Sequence, residues 1–266
     1  MNRSVGGAAA LLAVSLVSFT TTAASQEQQE ESWSFNLGAG AMYRPDYEGS
    51  DDYEVRGLPV LGVNYRDIVV LQGPSLKVDV IELTGTELAK NLSFGPLVKF
   101  DQGREADDNP ILRNLGDIDR GALAGVFIGY ELGPVELQLS VAQDATSRYE
   151  GLIAEIQAGY GFMLTQRLHA QIQLSSTWAD DDYTQAYFGI TGDQSRASGL
   201  RAFTAAAGVK DAGAAFSLNY VLTEHWRVTG RLAYRGLLGD AADSPLVEDQ
   251  GSANQASAAL FASYRF

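Results

Sequence analysis

Apolar residues recur at every second position in one segment of this chain after another. That is the period of a β-strand whose two faces meet different surroundings. Trp33, Phe35, Leu37, Ala39 and Ala41 share one phase, while Ser34, Asn36, Gly38 and Gly40 fill the other. The same alternation runs through residues 55–65, 92–100, 122–130, 135–141, 152–162, 168–178, 214–222, 226–234 and 256–266. About 10 residues suit a tilted strand crossing a bilayer, so the pattern predicts an all-β fold, a transmembrane antiparallel β-barrel. Trp33, Tyr65, Tyr130, Trp178, Trp226 and Tyr234 stand near segment ends, where the membrane–water interface favours aromatic rings.

Turn lengths set the strand count. Arg66-Asp67, Leu132-Gly133-Pro134, Thr165-Gln166-Arg167 and Thr223-Glu224-His225 are short and read as periplasmic turns. The polar stretches 43–53, 101–118, 179–198 and 237–254 read as outer loops. An even number of strands must separate turns on the same side. The pattern then resolves into about 12 strands, with Gln72-Gly73-Pro74-Ser75 splitting residues 68–83. A count of about 14 is the alternative, if residues 200–209 form a strand with an unrecognised mate.

Both ends of the chain fit export to an outer membrane. Arg3 is the only charge before Glu27, residues 8–19 are apolar or small, and Thr22-Ala23-Ala24-Ser25 offers a cleavage point after Ala24. The expected organisation is therefore a signal peptide over 1–24 and one barrel over 25–266. The apolar run is too short for a permanent membrane helix, which needs about 20 residues. At the other end, Tyr264 and the terminal Phe266 resemble the assembly signal of outer-membrane barrels. The expected location is the outer membrane of a Gram-negative bacterium, among lipid and lipopolysaccharide. An exported soluble β-sandwich is the bland alternative.

Composition removes some classes of function. A formal net charge of −14 argues against nucleic acid as a partner. With no cysteine, the fold uses neither disulfides nor thiol chemistry.

If the apolar phase faces lipid, the opposite phase faces the lumen. Arg227, Arg231 and Arg235 then form a basic row on one strand, roughly 13 Å apart at about 3.3 Å per residue. Glu136, Glu155, Lys99 and Arg56 also point inward. Two readings follow: a salt-bridged, occluded lumen in which the arginines are structural, or an anion-contacting constriction in a pore. The occluded lumen is the expected outcome, with the arginines bonded to Glu136, Glu155 or an inward-folded loop. Small inward residues (Gly121, Gly125, Gly129, Gly159, Gly161) favour close packing or such a loop.

Other chemistry is sparse, and no catalytic, cofactor or metal site is expected. His169 lies out of the apolar phase near a periplasmic turn, and His225 sits in a turn. Neither offers a hydroxyl nucleophile the nearby base it needs for lipid hydrolysis. Asp180-Asp181-Asp182 and Glu48 with Asp51 and Asp52 are oxygen-rich, but acidic runs in outer loops are usually solvated. Arg104, Arg113 and Arg120 could contact lipopolysaccharide phosphates, or pair with Asp101, Glu105, Asp107, Asp108, Asp117 and Asp119.

The loops carry a resemblance. YRPDYEGSDDY at 43–53 is followed by LPVLGVNYRD at 58–67, Gly103-Arg104 and LGDIDRGALAG at 115–125. Then come YFGI at 187–190, DAADSPLV at 240–247 and the closing SYRF. In that order the chain resembles the MipA/OmpV family of outer-membrane proteins over nearly all of its mature length. The resemblance implies a non-enzymatic barrel and, for one branch, scaffolding between murein lytic transglycosylases and murein synthases. It leaves open a porin-like passive channel for small solutes. A scaffold would use the periplasmic turns and residues 26–32.

Overall fold

The computed structural model describes residues 33–81 and 91–266. The leader, its cleavage point, residues 26–32 and the end of the 68–83 stretch lie outside the described residues.

The chain folds as a closed antiparallel barrel of 12 strands, each bonded to its sequence neighbours, with the first strand closing against the last. The strands are β1 (Trp33–Pro45), β2 (Tyr53–Tyr65), β3 (Val69–Gln72), β4 (Ser75–Val78), β5 (Leu92–Asp101) and β6 (Gly121–Leu132). They continue as β7 (Val135–Asp144), β8 (Leu152–Thr165), β9 (Leu168–Ala179), β10 (Gly208–Val221), β11 (Trp226–Leu237) and β12 (Asn254–Arg265). Residues 200–207 are loop, tied down by a bridge between Ile190 and Phe203, so the count is 12 rather than 14.

The two phases separate as the alternation requires. Leu139 (45% exposed), Ile172 (45%) and Leu232 (61%) point outward, while Ser140 (2%), Ser217 (4%) and Thr229 (3%) point into the barrel. Each outward residue would meet lipid, where only apolar side chains are tolerated near the midplane. Trp33 and Tyr65 meet at one rim, with ring centroids 4.5 Å apart, and Tyr43 stacks on Tyr53 at the other, at 4.9 Å. Inside, Met42, Leu58, Val60, Ala259 and Phe261 fill one side of the lumen with apolar packing. Gly40 makes this possible, since a Cβ there would lie 2.4 Å from the Phe261 ring.

The β3–β4 hairpin departs from expectation. Two full strands over 68–83 are expected, yet each strand has four residues. The hairpin pairs only with Gly62–Tyr65 of β2, and its turn ends where the Gly73 N–H donates to the Leu61 carbonyl at 3.1 Å. Above that point the second edge of β2 has no strand partner among the described residues. Pro59 sits on this edge, where its missing N–H leaves nothing unpaired.

The C-terminal residues take part in closing the barrel. The Phe266 N–H donates to the Phe35 carbonyl at 2.9 Å, and Tyr264 pairs with Leu37, so the last residues seal the seam between β12 and β1. Phe266 is 59% exposed, with its ring 4.8 Å from that of Tyr264. Replacing Phe266 with aspartate is expected to reduce outer-membrane assembly. The check is the fraction of protein that is heat-modifiable on gels; a wild-type fraction would show that the terminal aromatic is dispensable.

Candidate functional site: a lidded lumen

The long outer loops are not simply polar and solvated, as their composition suggests. The β9–β10 loop carries helices α1 (Asp181–Phe188) and α2 (Gly192–Ser198), and the β11–β12 loop carries α3 (Gly239–Asp243) and α4 (Pro245–Glu248). A short 3-10 helix, Pro110–Asn114, lies in the β5–β6 loop. These pieces pack into two apolar clusters over the outer mouth. Tyr183, Tyr187, Phe188, Ala241 and Val247 join Ala179 and Leu237 at the strand ends. Tyr47, Leu112, Leu115, Ile190, Leu200 and Leu246 form the other cluster. Leu112 and Phe188 are wholly buried, so the lid has a core of its own.

Polar groups fasten the lid to the strand ends. Asp144 accepts from the backbone N–H groups of Thr146 (3.1 Å), Arg148 (2.6 Å) and Tyr149 (3.1 Å), and from the Arg148 guanidinium at 3.0 and 3.1 Å. Asp101 accepts from the Tyr149 hydroxyl at 2.7 Å and from the Tyr187 hydroxyl at 2.9 Å, with Arg148 Nη2 3.2 Å away. Burial first, and Asp101 next, push both tyrosines above the usual range, so both remain donors. A register shift in β10 between Val209 and Asp211 turns both Lys210 and Asp211 inward. Lys210 then bridges Asp211 at 2.8 Å and Glu48 of the β1–β2 loop.

Beneath the lid is a cavity of about 840 Å³, lined by inward residues from both halves of the barrel. All the lumenal candidates except Arg227 lie in its wall, but they do not form one ladder. Arg231 donates to Ser217 Oγ at 3.1 Å and to Gln173 Oε1 at 2.8 Å. Gln173 Nε2 donates to Gln157 Oε1 at 2.9 Å, and Gln157 Nε2 to Glu155 Oε1 at 2.7 Å. Glu155 closes the relay on Lys99 at 2.6 Å. Arg231 therefore reaches Glu155 through two amides, not by the direct bond expected. Arg235 lies 3.7 Å from both Glu48 and Asp211, so the inward-folded β1–β2 loop holds it. Glu136 acts electrostatically on Lys77, whose ammonium donates to Gln138. Arg227 stands at the periplasmic end beside Ser263.

The loop arginines separate. Arg104 is buried beneath the lid and donates to the Tyr187 carbonyl at 2.7 Å, which removes it from lipopolysaccharide. Arg120 pairs with Glu105, and Arg113 is exposed. The acidic runs serve the fold: Asp180 caps α1 by accepting from the Tyr183 N–H at 2.9 Å, and Asp52 accepts from Asn109 at 3.2 Å. His225 stacks on Tyr264 at 5.1 Å, and His169 sits in the barrel wall between Met163 and Asn219. The residues that sequence reasoning missed are Asp144, Tyr149, Tyr187, Lys210 and Asp211. Only Asp144 has a local signal, an Asp followed closely by Thr146 and Ser147 in a turn.

Comparisons with known proteins find relatives of this chain. The chain is 25% identical over 217 residues to a protein of Escherichia coli O157:H7 named "Putative outer membrane protein YiaT", covering 80% of this chain and 84% of that one. Its counterpart in Escherichia coli K12 is 24% identical over 217 residues, with the same coverage. Among solved structures, the NanC porin aligns with a TM-score of 0.46 and 11% identity, over 86% of this chain and 98% of that one. An outer-membrane channel of Pseudomonas putida F1 aligns with a TM-score of 0.43 and 10% identity, over 91% and 100% of the two chains. Likeness at that level bears on neither task nor solute. The model of the family described as MltA-interacting protein MipA matches residues 37–266, so this chain, an outer-membrane β-barrel, belongs to the MipA family.

Proposed function

We propose that this barrel is a non-enzymatic scaffold that is closed to the outside and presents its periplasmic face to murein hydrolases and synthases. The observation that supports the reading is the lid, whose buried apolar core packs at the outer mouth of the barrel. The family description, an MltA-interacting protein, supplies the class of partner. The periplasmic turns are small, whereas a stable interface buries about 800 Å² per partner. The contact is therefore composite, with the partner reaching several turns or the lumen mouth at once.

The second reading is a porin-like passive channel, and the polar cavity of about 840 Å³ is what favours it. Two measurements separate these readings. Immobilised barrel is expected to retain a purified murein lytic transglycosylase, and the same preparation is expected to be silent in planar bilayers. Failure to retain the enzyme would sink the scaffold, and a steady open current would sink the closed lumen. In the closed case, Arg231→Glu is expected to lower the unfolding midpoint without creating a current, because it breaks the relay to Gln173 and leaves a carboxylate among acceptors.

A further inference from the structure

The barrel wall is interrupted beside β2. That strand has 13 residues, whereas the hairpin next to it has strands of four. From Val60 to Tyr53, one edge of β2 therefore has no strand beside it among the described residues. The Leu61 carbonyl still accepts from Gly73 on this edge, and backbone groups directed to one edge recur at every second residue. Pro59, Gly57 and Val55 thus turn theirs the same way, and no hydrogen bond meets them on that side among the described residues. Across the interruption, the Phe100 N–H of β5 donates to the Pro74 carbonyl at 2.7 Å, and β5 ends one residue later.

The depth of this edge matters. Tyr43 and Tyr53 stack at the outer rim, so Gly57 lies about 13 Å down the strand, at about 3.3 Å per residue. Val55 and Phe100, on either side, are 70% and 38% exposed. Hydrocarbon cannot satisfy backbone donors and acceptors, and unpaired backbone persists at this depth only where protein buries it or a water-filled cavity meets it. The lumenal cavity provides that contact. Its wall includes Arg56 of β2, Pro74 and Ser75 at the hairpin tip, Phe100 of β5 and Asp108 of the β5–β6 loop, which together frame the interruption. A side-chain bond spans it on the loop side, from Arg56 Nη2 to Asp108 Oδ1 at 3.0 Å. A second barrel in the same membrane would bring its own β2 alongside in parallel, the less stable pairing, and Pro59 has no N–H to give to it.

We propose that this notch between β2 and β5 is a side entrance from the outer leaflet to the lumen, taken by the polar head of an acyl-chain amphiphile whose tail stays in the bilayer. The backbone groups of Val55 and Gly57 serve the head and its water, while the side chains of Val55 and Phe100 flank the tail. The route runs through the wall and not through the lidded mouth. It holds whether or not the barrel docks a murein enzyme.

The chain has no cysteine, so a single introduced thiol reports on one place. Ser75→Cys puts it at the sill of the notch, and Ser175→Cys puts it in the cavity wall on β9. Full barrel in lipid vesicles is treated with N-hexadecylmaleimide, a small polar head on an acyl chain, and separately with water-soluble N-ethylmaleimide. The ratio of the two rates is expected to be roughly tenfold higher at Ser75→Cys than at Ser175→Cys, because only the notch admits a head whose tail is held in lipid. Adding Gly57→Trp is expected to lower the ratio at Ser75→Cys severalfold. A Cβ at Gly57 meets nothing within 4 Å, so the ring projects into the opening without disturbing the strand. Leu232→Trp, on the lipid face of β11, is expected to leave the ratio unchanged. If Gly57→Trp fails to become heat-modifiable, Gly57→Leu carries the test. Equal ratios at the two thiols would overturn the proposal, as would equal effects of the two tryptophans. A ratio that collapses when barrels are crowded in the vesicle would also overturn it, by showing that a second copy covers the β2 edge.

Discussion

Arginine in place of Leu139 is expected to destabilise the barrel by about 2–4 kcal/mol, the depth-dependent cost of placing that side chain against the bilayer midplane. Leu139 sits in the middle of β7 and points outward between Ile128 and Ile156 of the flanking strands. The same change at Ile172 in β9 should behave alike, since its outward neighbours are Tyr160 and Phe216. The proper contrast is an inward position with no assigned bond, such as Ser175 in the cavity wall. Gln138 and Gln173 are inward too, and facing alone makes them look permissive. They hold Lys77 and Arg231, however, so arginine there would set two cations side by side. Urea midpoints of refolded barrel in lipid vesicles measure the difference. Equal losses at Leu139 and Ser175 would mean that the outer phase does not face lipid.

Truncating Phe188 to alanine is expected to loosen the lid by about 3–5 kcal/mol, the usual loss for a fully buried phenylalanine. Phe188 has no exposed surface and packs with Tyr183, Tyr187, Leu237, Ala241 and Val247. Its carbonyl also accepts from Ser244 Oγ at 2.6 Å, which ties α1 to the start of α4. The strand ladder does not pass through this residue, so the barrel itself should still assemble. Two readouts follow: external protease should cut within residues 180–207, and a fluctuating current should appear in bilayers where wild type is silent. An uncut, silent variant would show that the lid does not depend on this core. Loss of assembly would show that lid and barrel fold as one unit.

The sequence by itself determined the wall of this protein. A side chain against lipid must be apolar whatever its neighbours are, and a strand turns every second side chain outward. The alternation from Trp33 to Phe266 therefore announced membrane strands, their facing and, with the short turns, their number. It was less informative wherever that rule relaxes. The pattern implies a longer β3–β4 hairpin than the four-residue strands that form, because apolar residues such as Val80 and Ile81 look the same in a strand or beyond its end. The first residues of β10 carry no alternation, because the bulge at Val209–Asp211 breaks the period and buries Lys210 beside Asp211.

Only the tertiary structure decided what fills and closes the barrel. Arg231 finds Gln173 across 58 residues, and Lys210 finds Glu48 across 162, distances over which no local pattern records a partner. The lid residues Leu112, Phe188, Ile190 and Leu246 come from three loops with no shared period, because they are buried against one another and not against a uniform solvent. Lipid imposes one condition on every outward position, so a single chain displays it. A core of loops imposes a different condition on each residue, and that condition exists only once the strands have brought the loops together.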